Sequence, residues 1–236
     1  MNSELHGIWR IMPSPAMTEI IAQSGFHFQI LDCEHGAYDF QSLENDIRAC
    51  NLHQCVPYVR VSGLNQVEVQ RCLDLGAQGI VFPQLQDIDD FKKATQLVKY
   101  HPDGLRGFNP FVRSWGYGFK PTAGKAPLCI TIVESLKAVE NLDHILALPG
   151  IDMIYIGSYD LSAQLGCPGK ISEPMVLNLV ESIIQKCVKA SVPVGLMVAN
   201  PEQYNAYKSL GVSVFLHTVD SDQLKKAFTN TINELK

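Results

Sequence analysis

Asp32, Glu34 and His35 close an apolar run, Phe26-His27-Phe28-Gln29-Ile30-Leu31. A buried strand that finishes in two acids and an imidazole either turns out into solvent or opens into a polar site. In a site, such groups supply a general base and support a cation. The same change of character recurs along the chain. Arg60 follows Pro57-Tyr58-Val59, Glu134 follows Cys129-Ile130-Thr131-Ile132-Val133, and Gly157-Ser158-Tyr159-Asp160 follows Met153-Ile154-Tyr155-Ile156. Asn200, and then His217 and Asp220, come after the last two runs. One charged residue at a strand end is unremarkable, whereas an array converging on one rim is what a site requires.

Glu134 and Asp160 are the candidate metal ligands. Two carboxylates from neighbouring strands, completed by water, suit a hard divalent cation such as Mg²⁺ or Mn²⁺. Each also has a structural reading, Glu134 at the positive end of the following helix and Asp160 as N-cap of a short helix over 161–165. Arg60 carries a fixed charge that can bind a carboxylate or a developing oxyanion in bidentate fashion, or be tied in a salt bridge to Glu34 or Asp32. Asp74 ends a helix over 64–74, where the helix dipole disfavours an anion. A partner would relieve it, and His35 is one such partner, since a carboxylate-held histidine makes a general base; a solvated surface position is the plainer alternative. No GxSxG elbow, Walker A loop or HExxH is present. Lys92, Lys93, Lys99, Lys186 and Lys189 fall in helices and loops, which favours a metal over a lysine imine as electron sink.

The elements that must position these residues are short apolar runs alternating with amphipathic stretches. Strands are expected at 7–12, 26–32, 55–60, 78–83, 128–134, 152–156, 193–198 and 213–217. Their near-continuous apolarity is that of parallel strands covered on both faces. Stripes such as Val139, Leu142, Leu146 and Leu177, Val180, Ile184, Val188 mark helices between them, and Gly25, Gly76, Gly150 and Gly211 sit where helices should stop. Eight strand–helix units predict an α/β chain folded as one (β/α)8 TIM barrel, a single domain over 1–236 whose active face lies at the C-terminal strand ends. A doubly wound sheet is the runner-up, weakened by the lack of a GxGxxG after any strand. The segment 101–127, with Phe108, Phe111, Trp115, Tyr117, Phe119 and several glycines up to Gly124, breaks the tight alternation and is expected to serve function or a subunit contact.

The formal net charge of −5 argues against nucleic acid or anionic lipid as a main partner. Met1-Asn2-Ser3-Glu4 lacks the pattern of a signal peptide, and no apolar run approaches a membrane span. Seven scattered cysteines without CxxC spacing fit reduced thiols in a cytoplasmic protein.

Taken together, the segments resemble the class II, metal-dependent pyruvate aldolases of the 4-hydroxy-2-oxoheptanedioate and 2-keto-3-deoxy-sugar-acid aldolase family, over about residues 7–229. The resemblance rests on Asp32-Cys33-Glu34-His35, on Leu73-Asp74-Leu75-Gly76-Ala77-Gln78 with Pro83, and on Gly104-Leu105-Arg106-Gly107. Further along it rests on Ile132-Val133-Glu134 through Leu142, Gly150-Ile151-Asp152 and Ile156-Gly157-Ser158-Tyr159-Asp160-Leu161-Ser162. It implies a homo-oligomer, in this family a hexamer, with a divalent metal (Mg²⁺ or Mn²⁺ foremost, Co²⁺ or Zn²⁺ as alternatives) on Glu134 and Asp160. The metal would be chelated by pyruvate, with backbone N–H groups around Ser158, Tyr159 and Asp160 on the pyruvate carboxylate. Arg60 would face the enolate oxygen and a His35–Asp74 pair the aldol proton, with Asp32 and Glu34 behind them. The implied reaction is cleavage of a 4-hydroxy-2-oxo acid to pyruvate and an aldehyde. The chain departs from the pattern at Ser158-Tyr159, where the family commonly has Pro and a small residue, and at Ile132, where one branch has Gln. Two other functions fit the same residues: decarboxylation of an oxaloacetate-like acid, and ligand binding by a non-catalytic barrel.

Overall fold

The computed structural model describes residues 4–119 and 125–234. Residues 1–3, and residues 120–124 of the 101–127 segment, Gly124 among them, lie outside the described residues. The apolar runs form β1 (Leu5–Arg10), β2 (Phe28–Asp32), β3 (Val56–Arg60), β4 (Gly79–Phe82), β5 (Leu128–Val133), β6 (Met153–Ile156), β7 (Val194–Met197) and β8 (Val214–Val219). Every neighbouring pair is parallel, and β8 pairs back onto β1, so the sheet closes into a barrel in sequence order. The connections carry α1 (Pro15–Gln23), α2 (Phe40–Leu52), α3 (Gln66–Asp74), α4 (Ile88–Leu97), α5 (Leu136–Glu140), α6 (Leu142–Leu146), α7 (Ser158–Gln164), α8 (Pro174–Lys189) and α9 (Pro201–Ser209), and α10 (Asp220–Asn233) follows β8. This is the (β/α)8 architecture that the alternation predicts.

The two-residue period of a strand sorts the side chains. Trp9, Phe28, Ile30, Tyr58, Val81, Ile130, Ile132, Met153, Tyr155, Val214 and Leu216 fill the barrel interior. Leu31, Val59, Ile80, Phe82, Cys129, Val133, Ile154, Leu196 and Phe215 face outward and join the inner faces of the helices in one larger core. Both strand faces are therefore buried, which is why the strands read as unbroken apolar runs. Continuing the inward parity toward the C-terminal ends brings Asp32, Arg60 and Glu134 over the interior column, one pleat above Ile30, Tyr58 and Ile132.

Segment 101–119 is an ordered flap. Trp115 donates to the Tyr100 hydroxyl at 3.0 Å and packs edge-on against Phe108. The Arg106 guanidinium lies 4.5 Å over the Tyr100 ring, and a short 3-10 helix at Arg113–Gly118 rests on α3. Arg113 donates to the Leu75 carbonyl at 2.8 Å. Gly76 makes room for that contact: its φ is +102°, and a Cβ there would stand 2.4 Å from Arg113 Nη1. After β8, α10 leaves the wall with only Asp220 buried, so Phe228 and Ile232 are exposed.

Candidate active site at the barrel mouth

Asp32 is wholly buried at the end of β2 and accepts from five donors. Arg60 Nε and Nη2 grip it at 2.8 and 2.5 Å, Trp9 Nε1 donates at 3.0 Å, and the backbone N–H groups of Glu34 and His35 donate at 3.0 and 3.3 Å. Burial pushes its carboxyl up, but the hydrogen bonds and charge of Arg60, helped by Trp9, more than reverse this and hold it below the usual carboxylate range. Such a group anchors a cation and is a poor base.

The Arg60 guanidinium lies 4.6 Å above the Trp9 ring. Nη1 lies 2.7 Å from Glu34 Oε2. This is a charge contact off the hydrogen-bond axis, because that oxygen has no directed donor. Of the two readings open for Arg60, the salt bridge to Asp32 and Glu34 is present. One N–H on each of Nη1 and Nη2 is left over for a ligand.

Glu134 follows β5 and is 7% exposed. Its Oε1 accepts the Gln84 backbone N–H at 2.5 Å, and Gly157 at the end of β6 lies flush against it. A Cβ on Gly157 would meet Glu134 Cβ at 2.5 Å and Oε2 at 2.9 Å. The Glu134 carboxyl is pushed up to about 7, chiefly by burial, with the charges of Asp160 and Glu34 adding to it against the Gln84 hydrogen bond and Arg60. Helix capping does not explain this residue: the cap of α5 is Ser135, whose hydroxyl accepts from Ala138 N–H at 3.1 Å. Nor is Asp160 an N-cap. It lies in the first turn of α7, whose cap position is Gly157, and it is exposed. Three acids (Asp32, Glu34, Glu134) thus act on one arginine, and the exposed Asp160 adds its charge to the field at the buried Glu134. Carboxylate oxygens of this kind are donors that a hard divalent cation would accept. Among the described residues no group of three or more His, Cys, Asp and Glu forms a closed metal site.

Several expectations are corrected. Asp74 does not pair with His35 within the chain: Arg106 occupies it at 2.9 Å, with the arginine side chain 4% exposed. Arg106 thereby ties the flap to the end of α3. His35 is exposed at the mouth, with Glu34 at 3.9 Å. Asn200 caps α9, accepting from Gln203 N–H at 2.8 Å. His217 lies within β8, which runs two residues further than expected, on its outward face beside His6 at 2.9 Å. Asp220 holds the buried Arg10 at 3.0 Å outside the barrel wall. None of these three belongs to the mouth.

Ser158 and the exposed Tyr159 open α7 beside Glu134, where no side chain caps the helix N-terminus. No motif marks Trp9, Gln84 or Tyr155. Trp9 and Tyr155 share the inward parity, so strand alternation alone could have found them. Gln84 could not be found this way, because its φ of +58° leaves no trace in composition.

The family model described as HpcH/HpaI aldolase/citrate lyase matches residues 6–227. The chain is 30% identical over 209 residues to the 2-dehydro-3,6-dideoxy-6-sulfogluconate aldolase of Pseudomonas putida, covering 87% of this chain and 82% of that one. It is 29% identical over 226 residues to the 4-hydroxy-2-oxo-heptane-1,7-dioate aldolase of Shigella flexneri, covering 94% and 85%. The crystal structure of an HpcH/HpaI aldolase/citrate lyase family protein from Burkholderia cenocepacia J2315 superposes with a TM-score of 0.93 at 29% identity, covering 99% of this chain and 95% of that one.

Proposed function

The chain belongs to the HpcH/HpaI aldolase/citrate lyase family, and from that premise we propose that its barrel mouth cleaves a 4-hydroxy-2-oxo acid to pyruvate and an aldehyde with a divalent metal, Mg²⁺ or Mn²⁺, on Glu134 and Asp160. The observation that carries the reading is Glu134, a buried carboxylate crowded by other acids and opposed by a single fixed arginine. A metal bound there supplies Lewis-acid polarisation of the 2-oxo group.

The chain's own residues do the rest. Arg60, held by Asp32 and Glu34, presents its two spare N–H groups where negative charge develops on the enolate oxygen, with no reorganisation needed at the moment of reaction. The uncapped N–H groups of Ser158, Tyr159 and Asp160 bind the substrate carboxylate. His35, at the open side of the mouth, takes the proton of the C4 hydroxyl as the C3–C4 bond breaks and its electron pair passes into the enolate; a solvent proton then adds to the enolate carbon to give pyruvate. Asp74 has no part in this within one chain, since Arg106 holds it.

We further read the protein as a homo-oligomer, hexameric by resemblance. The exposed Phe228 and Ile232 of α10 and the exposed Phe108, Phe111 and Phe119 of the flap support subunit contacts. Seven free cysteines support a reducing, cytoplasmic setting. No described helix is long and apolar enough to cross a membrane.

The test is exchange of solvent deuterium into the pyruvate methyl group, followed by NMR with Mg²⁺ or Mn²⁺ and again with chelator. Metal-dependent exchange, lost in Glu134→Ala and Asp160→Ala, is expected. A folded, metal-binding protein that exchanges nothing would refute the pyruvate-enolate reading. Product analysis, aldehyde against CO₂, then separates aldol cleavage from decarboxylation.

A further inference from the structure

Gln84 touches both halves of the mouth. It follows β4 through Pro83 and sits at φ +58°, a left-handed conformation that a residue with a Cβ adopts at a cost and that is held only where the surroundings impose it. In that conformation its backbone N–H reaches Glu134 Oε1 at 2.5 Å, while its side-chain amide donates to Glu34 Oε1 at 2.6 Å. Glu34 has no other directed hydrogen bond through its carboxylate among the described residues. Its second oxygen, although 2.7 Å from Arg60 Nη1, makes only the off-axis charge contact.

We propose that Gln84 is a positioning residue: its backbone fixes which oxygen of Glu134 turns toward the mouth, and its side chain holds Glu34, which in turn sets the Nη1 end of Arg60. The two tasks are separable. The backbone contact survives any substitution that tolerates the left-handed conformation, whereas the side-chain contact is lost with the amide. Without that donor, Glu34 is free to turn toward His35, 3.9 Å away. Arg60 then keeps its Asp32 grip on Nε and Nη2 and loses the restraint on Nη1. The catalytic consequence rests on the function proposed above; the structural one does not.

Gln84 is exposed, so its variants should fold. Gln84→Met keeps the length and removes the donor; Gln84→Ala removes both. Two readouts are needed. In ¹⁵N-labelled protein the Arg60 guanidinium signals, assigned by their loss in Arg60→Lys, report rotation about Cζ–Nη1. Both Gln84 variants should speed that rotation by about tenfold while Mn²⁺ affinity, read by calorimetry, stays within about twofold of wild type. In the pyruvate exchange assay, kcat should fall by about tenfold with little change in KM. Unchanged Arg60 rotation in both variants would overturn the positioning role. A loss of Mn²⁺ affinity equal to the loss of kcat would overturn the division of tasks. Wild-type protein inactive toward pyruvate would sink the functional reading alone, since the NMR measurement still decides what Gln84 does.

Discussion

Replacing Glu134 by Gln should stabilise the metal-free protein at alkaline pH and have less effect in acid. The ordinary carboxyl value of 4.5 rises to about 7 in the fold, mainly through burial. The folded protein therefore keeps this proton across the window from about 4.5 to 7, where the unfolded chain has already lost it. Stability from this group is full at low pH and falls as pH rises through that window. A shift of about 2.5 units at 1.36 kcal/mol each corresponds to roughly 3 kcal/mol, of which about 2.5 kcal/mol falls between pH 5 and pH 8. Glutamine can still accept the Gln84 N–H, yet has no charge to desolvate. Urea unfolding of wild type and Glu134→Gln in chelator, at pH 5 and pH 8, gives two stability differences. The gap between them should be about 2.5 kcal/mol in favour of the variant at pH 8. Taking the difference cancels groups common to both proteins, such as Asp46, which burial also pushes up. Adding Mn²⁺ at pH 8 should raise the wild-type midpoint and leave that of the variant in place. A difference that does not change with pH would refute the argument that an uncompensated buried charge at Glu134 marks a cation site.

Arg60→Ala would leave the fully buried Asp32 without its counter-charge, at a cost of roughly 3–5 kcal/mol; a Tm close to wild type would contradict that arrangement. Gly157→Ala places a methyl 2.5 Å from Glu134 Cβ. It should therefore weaken Mn²⁺ binding by at least about tenfold in calorimetry, while circular dichroism stays native. Arg106→Ala removes the partner of Asp74 and the cover of Tyr100. A loss of roughly 1–3 kcal/mol is expected, with faster proteolysis in the 100–119 flap; an equally protected flap would show that other contacts hold it.

Much of the barrel was legible in the chain because its causes are local. A parallel strand covered on both faces must be apolar throughout, so the eight runs stood out, and glycines such as Gly76 and Gly211, both at positive φ, marked several of the helix stops. Asp32, Arg60 and Glu134 could also be placed, since strand alternation puts them in register with Ile30, Tyr58 and Ile132. What the sequence could not determine was which groups meet after the chain has closed. Asp74 and His35 looked like a pair, but the flap returns Arg106 to Asp74 from 32 residues away. Asp220 looked like a rim residue, but closure of β8 onto β1 sets it against Arg10 from 210 residues away. Gln84 gave no sign at all, because a left-handed backbone is chosen by the hydrogen bonds it satisfies and not by the residue's own preference. Periodicity decides which face a side chain occupies; partners across the mouth depend on loop paths and ring closure, which exist only in the folded molecule.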